Sequence, residues 1–191
     1  MVCGIILLSW VLDITAVAIT HGLFRVEAFA GYKSNQWFYN FSMPLIIILF
    51  GWLYYLIFDN SRLKFFTVIL ISVFLLVHAA NLIWLQGVMV TASYSIVLGQ
   101  VFIGMFSFYY LRQTVEQYDF SPFRDFMFWF SVSTLISNVV TAPVTTLLAW
   151  LPFKTPGAFV RMYDIIGLYF GYYFCYLIII IGFLWTRRFK T

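Results

Sequence analysis

The chain has 191 residues, of which 63% are hydrophobic and 9% are charged, with a formal net charge of +4. Soluble domains carry about 25% charged residues, so this chain lacks the polar surface needed to cover a water-soluble globule. Its basic residues lie at the ends of apolar segments, where membrane topology and anionic lipid explain them, and this placement argues against nucleic-acid binding. The composition therefore predicts an integral membrane protein.

Six apolar segments are long enough to cross a bilayer, which takes about 20 helical residues each. In chain order they cover about residues 2–24, 37–58, 65–85, 92–111, 126–150 and 162–185. The connections are short and no soluble domain is visible, so residues 1–191 are predicted to form a single transmembrane domain. The first segment lacks a basic start and is predicted to be a retained helix rather than a signal peptide. The predicted fold is an all-α polytopic transmembrane helical bundle with six spans.

Topology follows from the lysine and arginine residues between the spans. An even number of spans places both termini on one side, together with Arg62, Lys64, Arg112, Arg124, Arg187, Arg188 and Lys190. The other side holds Arg25, Lys33, Lys154 and Arg161. The positive-inside rule therefore predicts that both termini are cytoplasmic. On this side the Ser121-Pro122 pair is predicted to open the fifth helix.

Asp13 is the only charged side chain from Met1 through Phe24. A carboxylate at that depth costs roughly 2.5–3.5 kcal/mol on insertion scales, so it is predicted to face protein or water rather than lipid. Three interpretations are open: a hydrogen bond to a neighbouring helix, a place in a ligand or ion site, or a contact with a second chain.

The other polar residues inside the spans lie at central or outer depths under this topology. The candidates for a pocket among them are Asn40, His78, Asn81, Gln100 and Asn138. Together with Asp13 they predict an outward-facing polar pocket for a ligand or ion. The alternative is that they clamp helices together, because polar side chains hydrogen-bond across membrane helices. His78 and Asn81 are three residues apart and share a helix face, and Pro44 removes a hydrogen bond from the second helix.

Recognisable chemistry is scarce in the sequence. The two histidines lie on different spans, and no nucleotide-binding glycine pattern occurs. We therefore predict no catalytic residue, no metal site and no cofactor, and an enzyme is the less favoured interpretation. Gly167 and Gly171 form a G-x-x-x-G pair that predicts close helix packing, within the chain or in a dimer.

Two short stretches carry a resemblance to known sequences. Residues 35–40 read Asn-Gln-Trp-Phe-Tyr-Asn, and residues 123–130 contain Arg-Asp-Phe-Met-Phe-Trp. They resemble the Asn-x-Trp and Arg-Asp-x-x-Phe-Trp patterns of an uncharacterised multi-pass inner-membrane protein family of Bacteroidota. Asp13 matches the acidic position of that family, Ile46 stands where a second acidic residue is expected, and the family has a further helix ahead of the first one here. The resemblance implies an architecture and a bacterial inner-membrane location, and it carries no known activity.

Three classes of function remain open. The first is a non-enzymatic integral membrane component, either a sensor or an accessory subunit of a membrane assembly. The alternative is a small transporter or channel-like protein using Asp13, and a further alternative is a lipid-modifying membrane enzyme. The expected partners are membrane lipid and either further copies of the chain or other membrane subunits.

Overall fold

The computed structural model of the chain describes residues 2–20, 36–88, 92–117, 122–150 and 173–188. Within these ranges every regular element is helical, which confirms the predicted all-α class for this part of the chain. The α-helices are α1 Val2–Thr20, α2 Gln36–Ile57, α3 Ser61–Ala80, α4 Ser93–Gln117, α5 Phe126–Trp150 and α6 Cys175–Arg188.

In the described part of the chain, four helical segments are long and apolar enough to cross a membrane, which indicates a membrane protein. They are Trp37–Ile57, Ser61–Leu85, Ser93–Glu116 and Phe126–Thr146. The first predicted span is helical over Val2–Thr20 and the sixth over Cys175–Arg188. Residues 21–24 of the first predicted span and residues 162–172 of the sixth lie outside the described residues. Six spans therefore stay a prediction.

The chain divides into two compact units, Met1–Ile96 and Val97–Thr191, with the division inside α4. In the first unit α1 packs against α2, and α2 packs against α3. A three-residue connection after Ile57 makes α2 and α3 an antiparallel pair, and Asn60 caps α3 by accepting the Arg62 N–H at 2.9 Å. The core of this unit contains the fully buried rings of Tyr54, Phe58 and Phe74. Aromatic side chains bury the largest areas of any residue and therefore dominate such a core.

The far end of α3 widens into one π-helical turn over Asn81–Leu85. The Gln86 N–H donates to the Asn81 carbonyl at 2.9 Å, five residues back instead of four. Gly87 then adopts a φ of +77°, a left-handed conformation that glycine takes without a Cβ clash. This turn ends α3 and directs the chain towards α4.

In the second unit α5 packs against α6, and the 3₁₀ turn Pro122–Arg124 packs against both. The prediction that Ser121-Pro122 opens the fifth helix was wrong by one turn. Asp125 separates the 3₁₀ turn from α5, and its carboxylate accepts the Met127 N–H at 3.0 Å. A capping aspartate satisfies a free N–H group of the first turn, so α5 begins at Phe126.

Candidate functional site

The candidate site is a polar cluster in the first unit, made by side chains of α2, the α3 end and the α4 start. Its members are Asn40, His78, Asn81, Gln86, Ser93 and Ser95. Asn40, Asn81 and Ser95 are fully buried, and His78 is 6% exposed. Buried polar groups are costly without partners, so the hydrogen bonds inside the cluster determine what it can do.

The Asn40 side chain fastens the connection between α3 and α4 to α2. Its Nδ2 donates to the Val88 carbonyl at 2.8 Å, and its Oδ1 accepts the Ala92 N–H at 2.9 Å. Residues 89–91, between these two contacts, lie outside the described part of the chain. One amide side chain therefore satisfies backbone groups on both sides of this connection.

His78 supplies a hydrogen bond that the sequence of α2 removes. In a regular helix the Asn40 carbonyl would accept the N–H of residue 44, and Pro44 has no N–H. His78 Nε2 lies 2.8 Å from this carbonyl oxygen. Because a carbonyl can only accept, Nε2 carries the proton and donates it. A side chain of α3 thus completes the hydrogen bonding of α2, as membrane helices containing proline require.

Ser95 joins His78 and Asn81 to the start of α4. Its Oγ lies 2.8 Å from His78 Nδ1 and accepts from Asn81 Nδ2 at 3.2 Å. It also lies 2.9 Å from the Ala92 carbonyl, which already accepts the Ile96 N–H at 3.0 Å. The single hydroxyl proton therefore has two acceptors within reach. With neutral His78 it is donated to Nδ1, because Nε2 holds the ring proton.

Asn81 extends the cluster to Gln86, and its own side-chain oxygen remains without a hydrogen-bond donor among the described residues. Its Nδ2 donates to Gln86 Oε1 at 2.9 Å, and Gln86 Nε2 donates to Ser93 Oγ at 3.4 Å. Asn81 Oδ1 is buried and has no hydrogen-bond partner among the described residues. The π-helical turn places this side chain here, and such turns are frequent at functional sites.

The structure brings together three of the predicted pocket residues: Asn40, His78 and Asn81. Gln100 and Asn138 belong to the second unit. Asn138 Nδ2 donates to the Thr134 carbonyl of its own helix at 2.7 Å, and Gln100 Oε1 is buried without a partner among the described residues.

Three predicted residues, Asp13, Gly167 and Gly171, have side chains or positions outside the described part of the chain. Asp13 belongs to α1, and its side chain lies outside the description. Gly167 and Gly171 fall outside the described residues altogether. Their predicted roles stay predictions.

Sequence reasoning missed Gln86, Ser93 and Ser95, together with the backbone groups of Val88 and Ala92. One signal for part of this arrangement was present. A proline at position 44 leaves the carbonyl of residue 40 without its helical donor, and a donor from another segment then becomes necessary. The serines carried no such signal, because serine is common at the first turn of any helix.

The chemistry available in the cluster is limited to hydrogen bonding and one serine–histidine contact. Among the described residues no group of three His, Cys, Asp or Glu side chains could hold a metal ion. The Ser95–His78 distance is within the reach of a nucleophile and its base. Comparisons with protein-family models, with curated proteins and with solved structures found no match.

Proposed function

We propose that the chain is a non-enzymatic integral membrane component, a sensor or an accessory subunit of a membrane assembly. It resides in a bacterial inner membrane with six spans and both termini in the cytoplasm. The observation that carries this proposal is that the hydrogen bonds of the polar cluster connect neighbouring segments and satisfy their backbone groups. Such a cluster fixes the geometry of one helix end, which suits a protein that presents a defined surface.

The position of the cluster supports an outward-facing site. Asn40 lies near the start of α2 and His78 near the end of α3, so both lie far from Arg62 at the opposite end of this helix pair. With cytoplasmic termini the Arg62 end faces the cytoplasm and the polar cluster faces outward. Asn81 Oδ1 is a buried acceptor without a partner among the described residues, so a hydrogen-bond donor from the outer side would reach it only after the cluster opens.

The rest of the first unit favours a component over a transporter. Between the polar cluster and the Arg62 end, the buried Ser, Thr, Asn, Gln and His side chains among the described residues are Ser42 and Thr67. The Ser42 hydroxyl donates to the Tyr39 carbonyl of its own helix at 3.4 Å. The Thr67 hydroxyl donates to the Leu63 carbonyl of the same helix at 2.9 Å. A transport path needs polar groups along its whole length, and the described residues of this unit do not supply them.

The component proposal is tested by measuring the mass of the assembly that the chain forms in its own membrane. Cross-linking before extraction, followed by native mass spectrometry, should give a discrete assembly larger than one chain. The same purified chain in proteoliposomes should move no solute. A single chain as the sole species, together with solute uptake that Asn40→Ala abolishes, would overturn the component proposal in favour of transport.

The topology is tested separately with C-terminal fusions. A fluorescent protein that matures only in the cytoplasm should fluoresce, and an alkaline phosphatase fusion at the same point should be inactive. The opposite pattern would place the polar cluster on the cytoplasmic side and remove the outward-facing site.

A second candidate, a lipid-modifying enzyme, is favoured by the 2.8 Å contact between Ser95 Oγ and His78 Nδ1. Nε2 is oriented by the Asn40 carbonyl, as a third group orients the base in hydrolases. Ser95 is fully buried, however, so substrate would reach it only after the cluster opens. A fluorophosphonate probe should leave the wild-type chain unlabelled. Labelling that Ser95→Ala abolishes would favour the enzyme.

A further inference from the structure

One corner of the second unit gathers basic and aromatic side chains at the ends of two helices. We name it the arginine corner: Phe123, Arg124 and Phe126 at the start of α5, with Phe183, Trp185 and Arg187 at the end of α6. The Phe126 and Phe183 rings meet edge to face with their centroids 6.2 Å apart. Arg124 precedes the first ring by two residues, and Arg187 follows the second by one helical turn. The contact therefore holds both arginines at the same end of the unit.

The arginine corner is a built feature because several contacts fix its two helices. Trp129 Nε1 donates to the Phe123 carbonyl at 2.9 Å and holds the 3₁₀ turn against α5. The backbone of Gly182 lies so close to Trp129 that a Cβ at this position would overlap the Trp129 Cβ. Only a residue without a side chain allows α6 this approach.

The charge of the arginine corner is positive among the described residues. Arg124 and Arg187 are both exposed, and α6 contains no acidic residue. Asp125, next to Arg124 in the chain, accepts the Tyr110 hydroxyl at 2.5 Å and the Met127 N–H at 3.0 Å. These bonds direct it towards α4 and the start of α5. Phe123 is 48% exposed and Trp185 42% exposed, so aromatic surface is exposed at the same end of the unit as the two guanidinium groups.

We propose that the arginine corner binds the headgroup of an anionic phospholipid at the cytoplasmic face of the membrane. This inference rests on the membrane placement proposed above. Guanidinium groups bind phosphate with paired hydrogen bonds, and aromatic side chains favour the depth of the headgroups. Each guanidinium contact with phosphate contributes at least about 1 kcal/mol net, which corresponds to about fivefold in affinity.

The test uses the full chain in phosphatidylcholine nanodiscs containing a titrated fraction of phosphatidylglycerol. Native mass spectrometry of the released protein counts the phosphatidylglycerol molecules retained. The double substitution Arg124→Gln with Arg187→Gln should weaken retention at least about 25-fold, the product of about fivefold for each arginine. Arg62→Gln with Lys64→Gln removes the same charge from the first unit and should change retention less than twofold. Replacing both corner arginines by lysine keeps the charge and removes the paired hydrogen bonds, so retention should lie between that of the wild-type chain and that of the double glutamine variant.

Three results would overturn the lipid site. Equal losses from the two glutamine pairs would mean that only general surface charge attracts the lipid. Unchanged retention in the Arg124→Gln, Arg187→Gln protein would mean that the headgroup binds elsewhere. Displacement of the lipid by inorganic phosphate, but not by chloride at equal ionic strength, would mean that the corner takes free phosphate. Each result is obtained on the purified chain, so it is independent of whether the chain belongs to a larger assembly.

Discussion

Among the described α-helices, α2 and α5 contain a proline, and they are stabilised in different ways. In α2, Pro44 leaves the Asn40 carbonyl without a helical donor, and His78 of α3 donates to it at 2.8 Å. In α5, Pro143 leaves the Val139 carbonyl without its helical donor, and Val139 is 62% exposed. The hydroxyl groups around Pro143 bond to other carbonyls of the same helix, Thr145 to Thr141 and Thr146 to Ala142.

The difference extends to most polar side chains of the two units. In the first unit the polar cluster connects three segments, so its bonds depend on tertiary structure. In the second unit Ser107, Thr114 and Thr134 all donate to the carbonyl four residues back in their own helix. Such bonds form as soon as the helix forms. The first unit therefore joins its segments through the polar cluster, and the second joins its helices mainly by packing, with Ser133 of α5 donating to the Cys175 carbonyl of α6 at 2.8 Å.

Replacing His78 should cause the largest loss of stability. His78→Ala leaves the buried Asn40 carbonyl without a donor and removes a ring stacked on Phe74 at 5.7 Å. We expect the free energy of unfolding to fall by about 3 kcal/mol. Reversible unfolding in mixed micelles measures this free energy for the wild-type chain and the variant.

A double-mutant cycle isolates the proline from the rest of this effect. Pro44→Ala restores an N–H that the Asn40 carbonyl can accept within α2, so His78→Ala should cost at least about 1 kcal/mol less in that background. Pro143→Ala is the matched control and should leave the cost of His78→Ala unchanged. Equal costs in all three backgrounds would show that His78 does not compensate for Pro44.

Asn40→Ala should cause a smaller loss, about 2 kcal/mol, because it removes two bonds to Val88 and Ala92 and keeps the carbonyl that His78 contacts. Hydrogen exchange at the Ala92 amide should accelerate more than exchange in the middle of α2. Uniform acceleration across the first unit would contradict a local role for this side chain.

Close packing in the second unit is probed at Gly182. Gly182→Ala places a Cβ against the base of Trp129, which cannot rotate away, and should cost about 1–2 kcal/mol. Gly104→Ala is the matched control, because its Cβ would lie 3.8 Å from Asn138 Cβ, an ordinary contact. The control should be neutral or stabilising, since alanine favours helix over glycine. Equal effects of the two substitutions would show that the helices of this unit pack loosely.

The helices themselves were largely predictable, because a continuous apolar segment in a membrane protein has few alternatives to a helix. The grouping of His78 with Asn81 on one face corresponds to what the structure describes, whereas α5 begins one turn after the predicted Ser121-Pro122 opening. The partners were harder to predict. Which serine meets His78 depends on how the chain returns after Gly87, and hydrophobicity contains no information about that connection.

The smallest effect is expected from the threonines beside Pro143. Thr145→Val and Thr146→Val keep the shape of the side chain and remove hydroxyl groups that bond within α5. The carbonyls concerned keep their helical N–H donors, so the double variant should change the free energy of unfolding by less than about 0.5 kcal/mol. The same unfolding measurement checks it beside His78→Ala. A loss near that of His78→Ala would mean that α5 also depends on specific polar bonds around its proline, and the contrast between the two units would then lie only in where the donors come from.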